Sequence, residues 1–454
     1  MSDGQGSVNA ERGLSRRDFL TSAAAATGAG FWLASPLRAQ TPKSKNEDLR
    51  VAVIGAGTQG RVLMQNCLKI PGVRFVAVCD IWRYSRRYAE RRLKAYKQEV
   101  NVYEDYREML DKEKDLDAVL VATPDWMHAE HAIACLKAGK HVYCEKEMSN
   151  HIEKARQMVL AARETGKLLQ IGHQRRSNPR YLHAVGKLLR EAKLLGRITN
   201  AYGQWNRAKQ PDKGCPKGYE LDRATLEKYG YGTMHQFRNW RWYKKYGGGP
   251  IVDLGSHQID VFQWFLGTLP KSVTAAGGVD YYENHEWYDN VMTIFEYDTP
   301  DQTVRAFYQV LTTTSARGYL ETFMGDEGTL QISEDPTKCR VYAEGYLPKD
   351  AWDKWAEKGY LARMPPPKEE PKEAMDAIVS VYKSEPPVAW LLPVELEKSY
   401  HQPHLENFFG AIRHGTPLNC PAEVGYESAV TVLAVNKAVE AARRLDFNPE
   451  DFQV

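Results

Sequence analysis

Apolar positions fall into two regimes along the chain. From Leu49 to Gly172, short β-branched and aliphatic runs alternate with longer stretches of mixed polarity. Leu49-Arg50-Val51-Ala52-Val53-Ile54, Arg74 to Cys79, Ala118 to Ala122, His141 to Cys144 and Leu168 to Gly172 read as strands. Such near-continuous apolar runs fit a sheet covered by helices on both faces. Arg61 to Lys69, His128 to Ala138 and Ile152 to Thr165 read as helices, the last two closed by Gly139 and Gly166. Strands alternating with helices predict a doubly wound parallel sheet over 49–173. Past about Gln174 the alternation stops. Ile198 to Trp205, Val273 to Asp280, Val291 to Tyr297, Thr303 to Thr312 and Tyr319 to Met324 read as strands, several with a period of two. The expected fold class is α/β, with a second domain over 174–445, α+β, carrying an open and largely antiparallel sheet. Two excursions interrupt it: 207–248, rich in Gly, Lys and aromatics, which reads as a long active-site insertion, and 333–400, with Pro365-Pro366-Pro367 and many charges.

The first 39 residues read as an address rather than as structure. Ser15-Arg16-Arg17-Asp18-Phe19-Leu20 has the form of a twin-arginine signal. A mildly apolar run, Thr21 to Ala34, follows, and Leu37-Arg38-Ala39 resembles a cleavage site. The run is too short and too weakly apolar for stable membrane insertion. The expectation is an exported, periplasmic protein handed to the twin-arginine machinery, with 40–48 as a linker. Composition adds exclusions. A net charge of +3 over 454 residues leaves no excess for nucleic acid. Seven cysteines without a CxxC pair read as buried thiols, and no metal is expected.

Gly55-Ala56-Gly57-Thr58-Gln59-Gly60 follows the first strand and opens the first helix. In that setting a G-x-G-x-x-G permits a tight turn, close approach of a pyrophosphate, and helix-on-strand packing, with the helix N-terminus facing the phosphates. Asp80 lies twenty residues beyond Gly60, at the end of the second strand, where an acid accepts from ribose hydroxyls. That favours NAD. Arg83, Arg86 and Arg87 just downstream keep NADP possible. Thr123, Lys146, Gln174 and Arg175 all fall at the carboxyl ends of strands, where such sheets bind ligands.

The chain resembles the glucose-fructose oxidoreductase / inositol dehydrogenase / MocA (Gfo/Idh/MocA) superfamily. The resemblance rests on the glycine motif, Thr123-Pro124 with His128, and the run Ala138 to Lys146. It rests also on Gly249-Pro250-Ile251-Val252-Asp253-Leu254-Gly255-Ser256-His257-Gln258-Ile259-Asp260 and on His401 to Arg413. It implies dinucleotide contacts from Gly55, Gly57, Thr58, Gln59, Gly60, Asp80, Thr123, Pro124, His128, Glu145, Lys146 and Gln174. It also implies a homodimer or homotetramer formed through the open sheet face. One departure stands out: Glu147 occupies the place of the family's proline after the lysine.

Asp253, His257 and Asp260 are spaced four and three apart, so on one helix they share a face. Oxidation of an alcohol needs a base for the hydroxyl proton. His257 and Lys146 are the candidates, with Asp253 expected to orient His257 and Asp260 to support the site. Arg175, Trp205, Asp260 and His404 are the expected substrate contacts; either His401 or His404 is placed to touch substrate hydroxyls. Trp240, Trp242 and Tyr243 could stack on a sugar or simply pack a core. The reading is an exported oxidoreductase acting on a hydroxyl or carbonyl of a sugar, glycoside or cyclitol, by hydride transfer to tightly bound NAD. Its alternatives are a glycoside hydrolase that uses NAD with no net redox change, and a non-catalytic sugar- or nucleotide-binding protein.

Overall fold

The computed structural model describes residues 48–364 and 387–454. The expected signal segment, nearly all of the 40–48 linker and the Pro365-Pro366-Pro367 stretch lie outside the described residues.

Six strands form the first sheet: β1 (Leu49–Ile54), β2 (Val73–Cys79), β3 (Asn101–Tyr103), β4 (Ala118–Val121), β5 (His141–Cys144) and β6 (Leu169–Ile171). Their order is β3-β2-β1-β4-β5-β6, and every pairing is parallel. The strand order reverses between β1 and β4, so a crevice opens at their carboxyl ends. Both faces are covered, which accounts for the unbroken apolar runs. Ala52, Ile54, Val119 and Val121 pack on one side, and Val51, Val53, Ala118 and Leu120 on the other. β3 was not visible in the pattern. It has only three residues, and Asn101 and Val102 are exposed.

The second sheet has ten strands: β7 (Ile198–Asn206), β8 (Pro270–Gly278), β9 (Asn290–Asp298), β10 (Thr303–Leu311), β11 (Tyr319–Gly325), β12 (Gly328–Ile332), β13 (Arg340–Ala343), β14 (Ala362–Arg363), β15 (Val388–Leu391) and β16 (Leu445–Asp446). Their order is β14-β15-β13-β12-β11-β7-β10-β9-β8-β16. Only the β7–β10 pairing is parallel, so the sheet is largely antiparallel as expected. The stretch 333–400 is less of an excursion than its charge suggests, because it supplies β13, β14 and β15 to one edge. The helix Ser256–Leu266 covers the inner face, burying Ile259, Phe262 and Phe265 against Phe323 and Tyr308.

Two late helices tie the halves together. Gln402–His414 was assigned by sequence to the second domain, yet Leu405, Phe408 and Phe409 complete the apolar cluster of the first sheet. Ala422–Ala441 is buried almost all round, as a helix between two cores must be. Its first half packs Tyr426, Ala429 and Val430 on the first domain. Its second half packs Val432, Val435 and Ala438 on the second. Among the described residues no helix is long and apolar enough to cross a membrane.

Candidate active site

The crevice at the carboxyl ends of β1, β2, β4 and β5 opens into a cavity of about 850 Å³. The glycine turn lies at its floor. A side chain on Gly60 would collide with the Gly55 carbonyl, so the helix Thr58–Cys67 can start this close to the strand only with glycine there. A side chain on Gly57 would meet nothing within 4 Å, so that position faces open space. No side chain caps this helix, and its first N–H groups are left for an anion. Asp80 Oδ2 accepts from the Ala56 N–H at 2.8 Å and Oδ1 from the Trp82 N–H at 2.8 Å. Burial pushes this carboxyl up to about 6, against the pull of those two N–H groups. A carboxylate has further lone pairs, so ribose hydroxyls can still be accepted. The residues present therefore fit a dinucleotide.

Gly55, Gly57, Thr58, Gln59, Asp80, Thr123, Pro124, His128, Glu145, Lys146 and Gln174 all line the cavity. Two of them do more than line it. His128 spends both ring nitrogens on the chain, at 2.7 Å from the carbonyls of Thr123 and Glu147, and so braces the ends of β4 and β5. Gln59 Nε2 donates to Glu145 Oε1 at 2.9 Å and lies 2.9 Å from His401 Nε2. The Lys146–Glu147 peptide bond is cis. Glu147, in the place of the family's proline, is buried with its Oε2 3.8 Å from His173.

The opposite wall comes from the second domain. Lys146 Nζ reaches across and donates to the backbone carbonyl of Asp253. His257 is buried beside it, and its Nδ1 has no partner among the described residues. Burial, then the charges of Lys146 and Arg175, hold this imidazole well below its ordinary pKa and keep it neutral. Trp205 stacks on His257 with ring centroids 5.6 Å apart, and Tyr319 stacks on Trp205 at 4.6 Å.

Four expected roles need correction. Asp253 does not orient His257. Residues Ile251–Gly255 wind as a π-helix ahead of the helix Ser256–Leu266, so spacing by four no longer means a shared face. The Asp253 carboxylate turns instead to Arg241 Nε at 2.8 Å and Arg207 at 3.6 Å. Burial works to raise its pKa, but Arg241, Lys146 and Arg207 outweigh that and hold it well below the carboxylate range. Asp260 is fully buried, gripped by Arg176 at 2.8–2.9 Å and by Ser428 Oγ at 2.7 Å, and does not line the cavity. Arg175 is buried between Glu321 and Glu334. Its guanidinium backs the rings of Trp205 and Tyr319 at 5.8 and 5.6 Å, so it supports the aromatic wall from behind. His404 is buried, with Nδ1 2.6 Å from Ser177 Oγ and Nε2 2.8 Å from the Ile171 carbonyl. It is His401, one turn earlier, that lines the cavity.

The excursion 207–248 lies at the active site, as its sequence suggests, and forms a roof over the cavity. Trp82 Nε1 donates to the Tyr219 carbonyl at 2.6 Å, and Tyr229 OH to Glu104 at 3.2 Å. Leu226, Tyr231 and Tyr246 form an apolar cluster with Ile81 and Trp126 of the first domain. Arg238 lies over the Trp82 ring at 4.3 Å. Trp240 and Trp242 line the cavity from this roof; Tyr243 is bonded to His235. The richness of the segment in glycine, lysine and aromatics is what marks it as an insertion at the site. Among the described residues no group of three or more His, Cys, Asp or Glu could hold a metal ion.

Comparison with known proteins sharpens this geometry. The family described as "Oxidoreductase family, NAD-binding Rossmann fold" matches residues 49–173, and "GFO/IDH/MocA C-terminal domain" matches 187–331. The chain is 35% identical over 141 residues to 4-carboxy-2-hydroxymuconate-6-semialdehyde dehydrogenase of Sphingobium sp., covering 31% of this chain and 43% of that protein. It is 31% identical over 229 residues to D-glucoside 3-dehydrogenase of Escherichia coli, covering 50% of this chain and 57% of that one. The chain thus spans about half the length of the curated relatives it matches. In fold it is similar to the WlbA dehydrogenase of Bordetella pertussis, solved with NADH and UDP-GlcNAcA. The TM-score is 0.63 at 18% identity, covering 88% of this chain and 99% of that one.

Proposed function

The chain belongs to the Gfo/Idh/MocA family of oxidoreductases, and from that premise we propose that it oxidises or reduces a hydroxyl or carbonyl of a sugar, glycoside or cyclitol with tightly bound NAD. One observation carries the reading. Lys146 from the first domain and His257 from the second meet in the cavity that holds the glycine turn.

Gly55, Gly57, Thr58 and Asp80 would hold NAD, which when bound would supply the hydride acceptor for the carbinol carbon. The protein's own groups deal with the proton. His257, which lines the cavity and is held neutral by its burial, takes it from the substrate hydroxyl. Lys146, fixed by the Asp253 carbonyl, donates to the same oxygen and holds it in line. Arg207 and Arg241 keep Asp253 ionised, so this wall carries no competing proton. Trp205 offers a flat apolar face for the ring. The names of the relatives, a glucoside dehydrogenase and inositol dehydrogenases among them, support this substrate class.

The roof over the cleft supports tight retention of the dinucleotide. It also gives weight to a second reading, glycoside cleavage with no net redox change, for which NAD need never leave. Export by the twin-arginine route to the periplasm belongs to the same proposal, resting on Arg16-Arg17. So does a dimer or tetramer through the outer face of the ten-stranded sheet, where Met292 and Ile294 are exposed. The test is to denature the purified protein and identify released nucleotide by mass, then to add glycosides and follow NADH. Stoichiometric NAD with NADH formation is expected. Release of free sugar without added NAD would select the second reading. An empty protein that never reduces NAD would sink both.

A further inference from the structure

The substrate end of the cavity has an uneven supply of donors and acceptors. Its carboxylates are spent within the protein. Asp253 faces Arg241 and Arg207. Glu334 accepts from Gln174 Nε2 at 3.2 Å through Oε1, and from Arg175 at 3.3 Å through Oε2. Glu145 accepts from Gln59. The cationic donors are not spent. Arg207 reaches the Asp253 carboxylate only at 3.6 Å, beyond hydrogen-bond range. Arg241 uses Nε on Asp253, and its terminal amino groups have no hydrogen-bond acceptor among the described residues. Lys213, on the roof loop, forms no ion pair among the described residues, though it lines the same cavity.

A neutral sugar hydroxyl brings one donor and two acceptor lone pairs, so it needs acceptors as well as donors. A wall with spent carboxylates and idle cations suits a group that only accepts, and that carries the charge to repay three crowded cations. We propose that the substrate of this site carries an oxyanion, a carboxylate or a phosphate, which seats on Arg207, Lys213 and Arg241. This rests on the reading above that the Lys146–His257 end of the cavity is the substrate end. The flat wall of Trp205 and Tyr319 then takes the ring to which the anion is attached.

The test compares D-glucose, D-glucuronate and D-glucose 6-phosphate on the purified holoprotein by quenching of tryptophan fluorescence, since Trp205, Trp240 and Trp242 line the cavity. At least one anionic sugar binds about tenfold or more tighter than glucose, as a charge-assisted contact gives. Which of the two binds better separates carboxylate from phosphate. In Lys213→Gln, whose side chain is exposed and whose loss leaves the core intact, the preference falls severalfold, and in Arg207→Gln it falls further. Equal affinity for the three sugars, or no binding by either anion, overturns the inference. So does a Lys213→Gln protein that keeps the preference but loses nucleotide on gel filtration, because the lysine would then serve the dinucleotide phosphates. NADH formation read on the same samples keeps the two proposals apart. An anion preference without hydride transfer sinks only the oxidoreductase reading. Hydride transfer from glucose without a preference sinks only this one.

Discussion

The two walls of the cavity are built from different materials. The dinucleotide wall is mostly backbone: a glycine turn, a helix start with free N–H groups, and an aspartate already bonded to two main-chain amides. The substrate wall is mostly side chains: Lys146, His257, Trp205, and a carboxylate shared by two arginines. A backbone wall has few ways to be rebuilt, because a single Cβ changes its shape. A side-chain wall can be re-equipped one residue at a time while the scaffold stays. The first wall therefore suits a part shared across substrates, and the second suits choice of substrate.

The sharpest break of this contrast is Gly60→Ala. Its methyl group falls on the Gly55 carbonyl, a backbone atom that cannot step aside. The expected outcome is purified protein with no bound nucleotide, read by mass after denaturation. Full retention would mean that the turn is not the cofactor cradle. Next, His257→Gln and Lys146→Met should each lower kcat/KM by about 10²- to 10⁴-fold, the usual worth of a positioned proton acceptor. Nucleotide content should be unchanged, because both residues act on the opposite wall. Asp253→Asn should cost less, about tenfold to a hundredfold, by leaving Arg207 and Arg241 without their carboxylate.

Smaller effects sharpen the same comparison through pH. His257 is neutral in the folded protein and its pKa is depressed by burial and by Lys146. Activity should therefore hold as pH falls through about 6.5, the ordinary histidine value, and fail only at lower pH. An acid limb centred on 6.5 would show a histidine in water rather than in this wall. His404 is depressed to about 3 by burial. The unfolded chain takes up that proton near 6.5 while the folded one resists, so the histidine's contribution to stability is lost as pH falls from about 6.5 toward 3. The stability gap between the protein and His404→Asn should accordingly narrow between pH 7 and pH 4.5, measured by urea unfolding. A constant gap would mean that His404 is not held neutral between Ser177 and Ile171.

The same contrast governs what could be read from the chain. The first sheet was legible nearly strand for strand, since a buried parallel strand writes its position as an apolar run. β3 escaped because a strand of three residues, two of them exposed, writes nothing. The cavity floor was legible because a backbone turn needs glycine at fixed offsets. Asp253 was placed correctly, yet its partner was not, because a π-turn of five residues shifts its direction and leaves no mark in polar spacing. His401 and His404 could not be told apart by type. Only the packing of the helix Gln402–His414 on the first-domain core, through Leu405 and Phe408, decides which points inward. Arg207 and Arg241 were missed for a related reason: an arginine in a loop declares its carboxylate only when the fold brings the two together.

The late helix has a consequence for how the molecule comes into being. Leu405, Phe408 and Phe409 close the core of the first domain, although they are made long after β6. During synthesis the first domain waits with an apolar flank open, and folding of either half ends only when the carboxyl-terminal stretch has left the ribosome. A fragment cut at residue 173 holds every residue of the glycine turn but lacks the helix that finishes its interior. Such a fragment should clump rather than fold, and nucleotide binding should return only when the missing helix is supplied on the same chain.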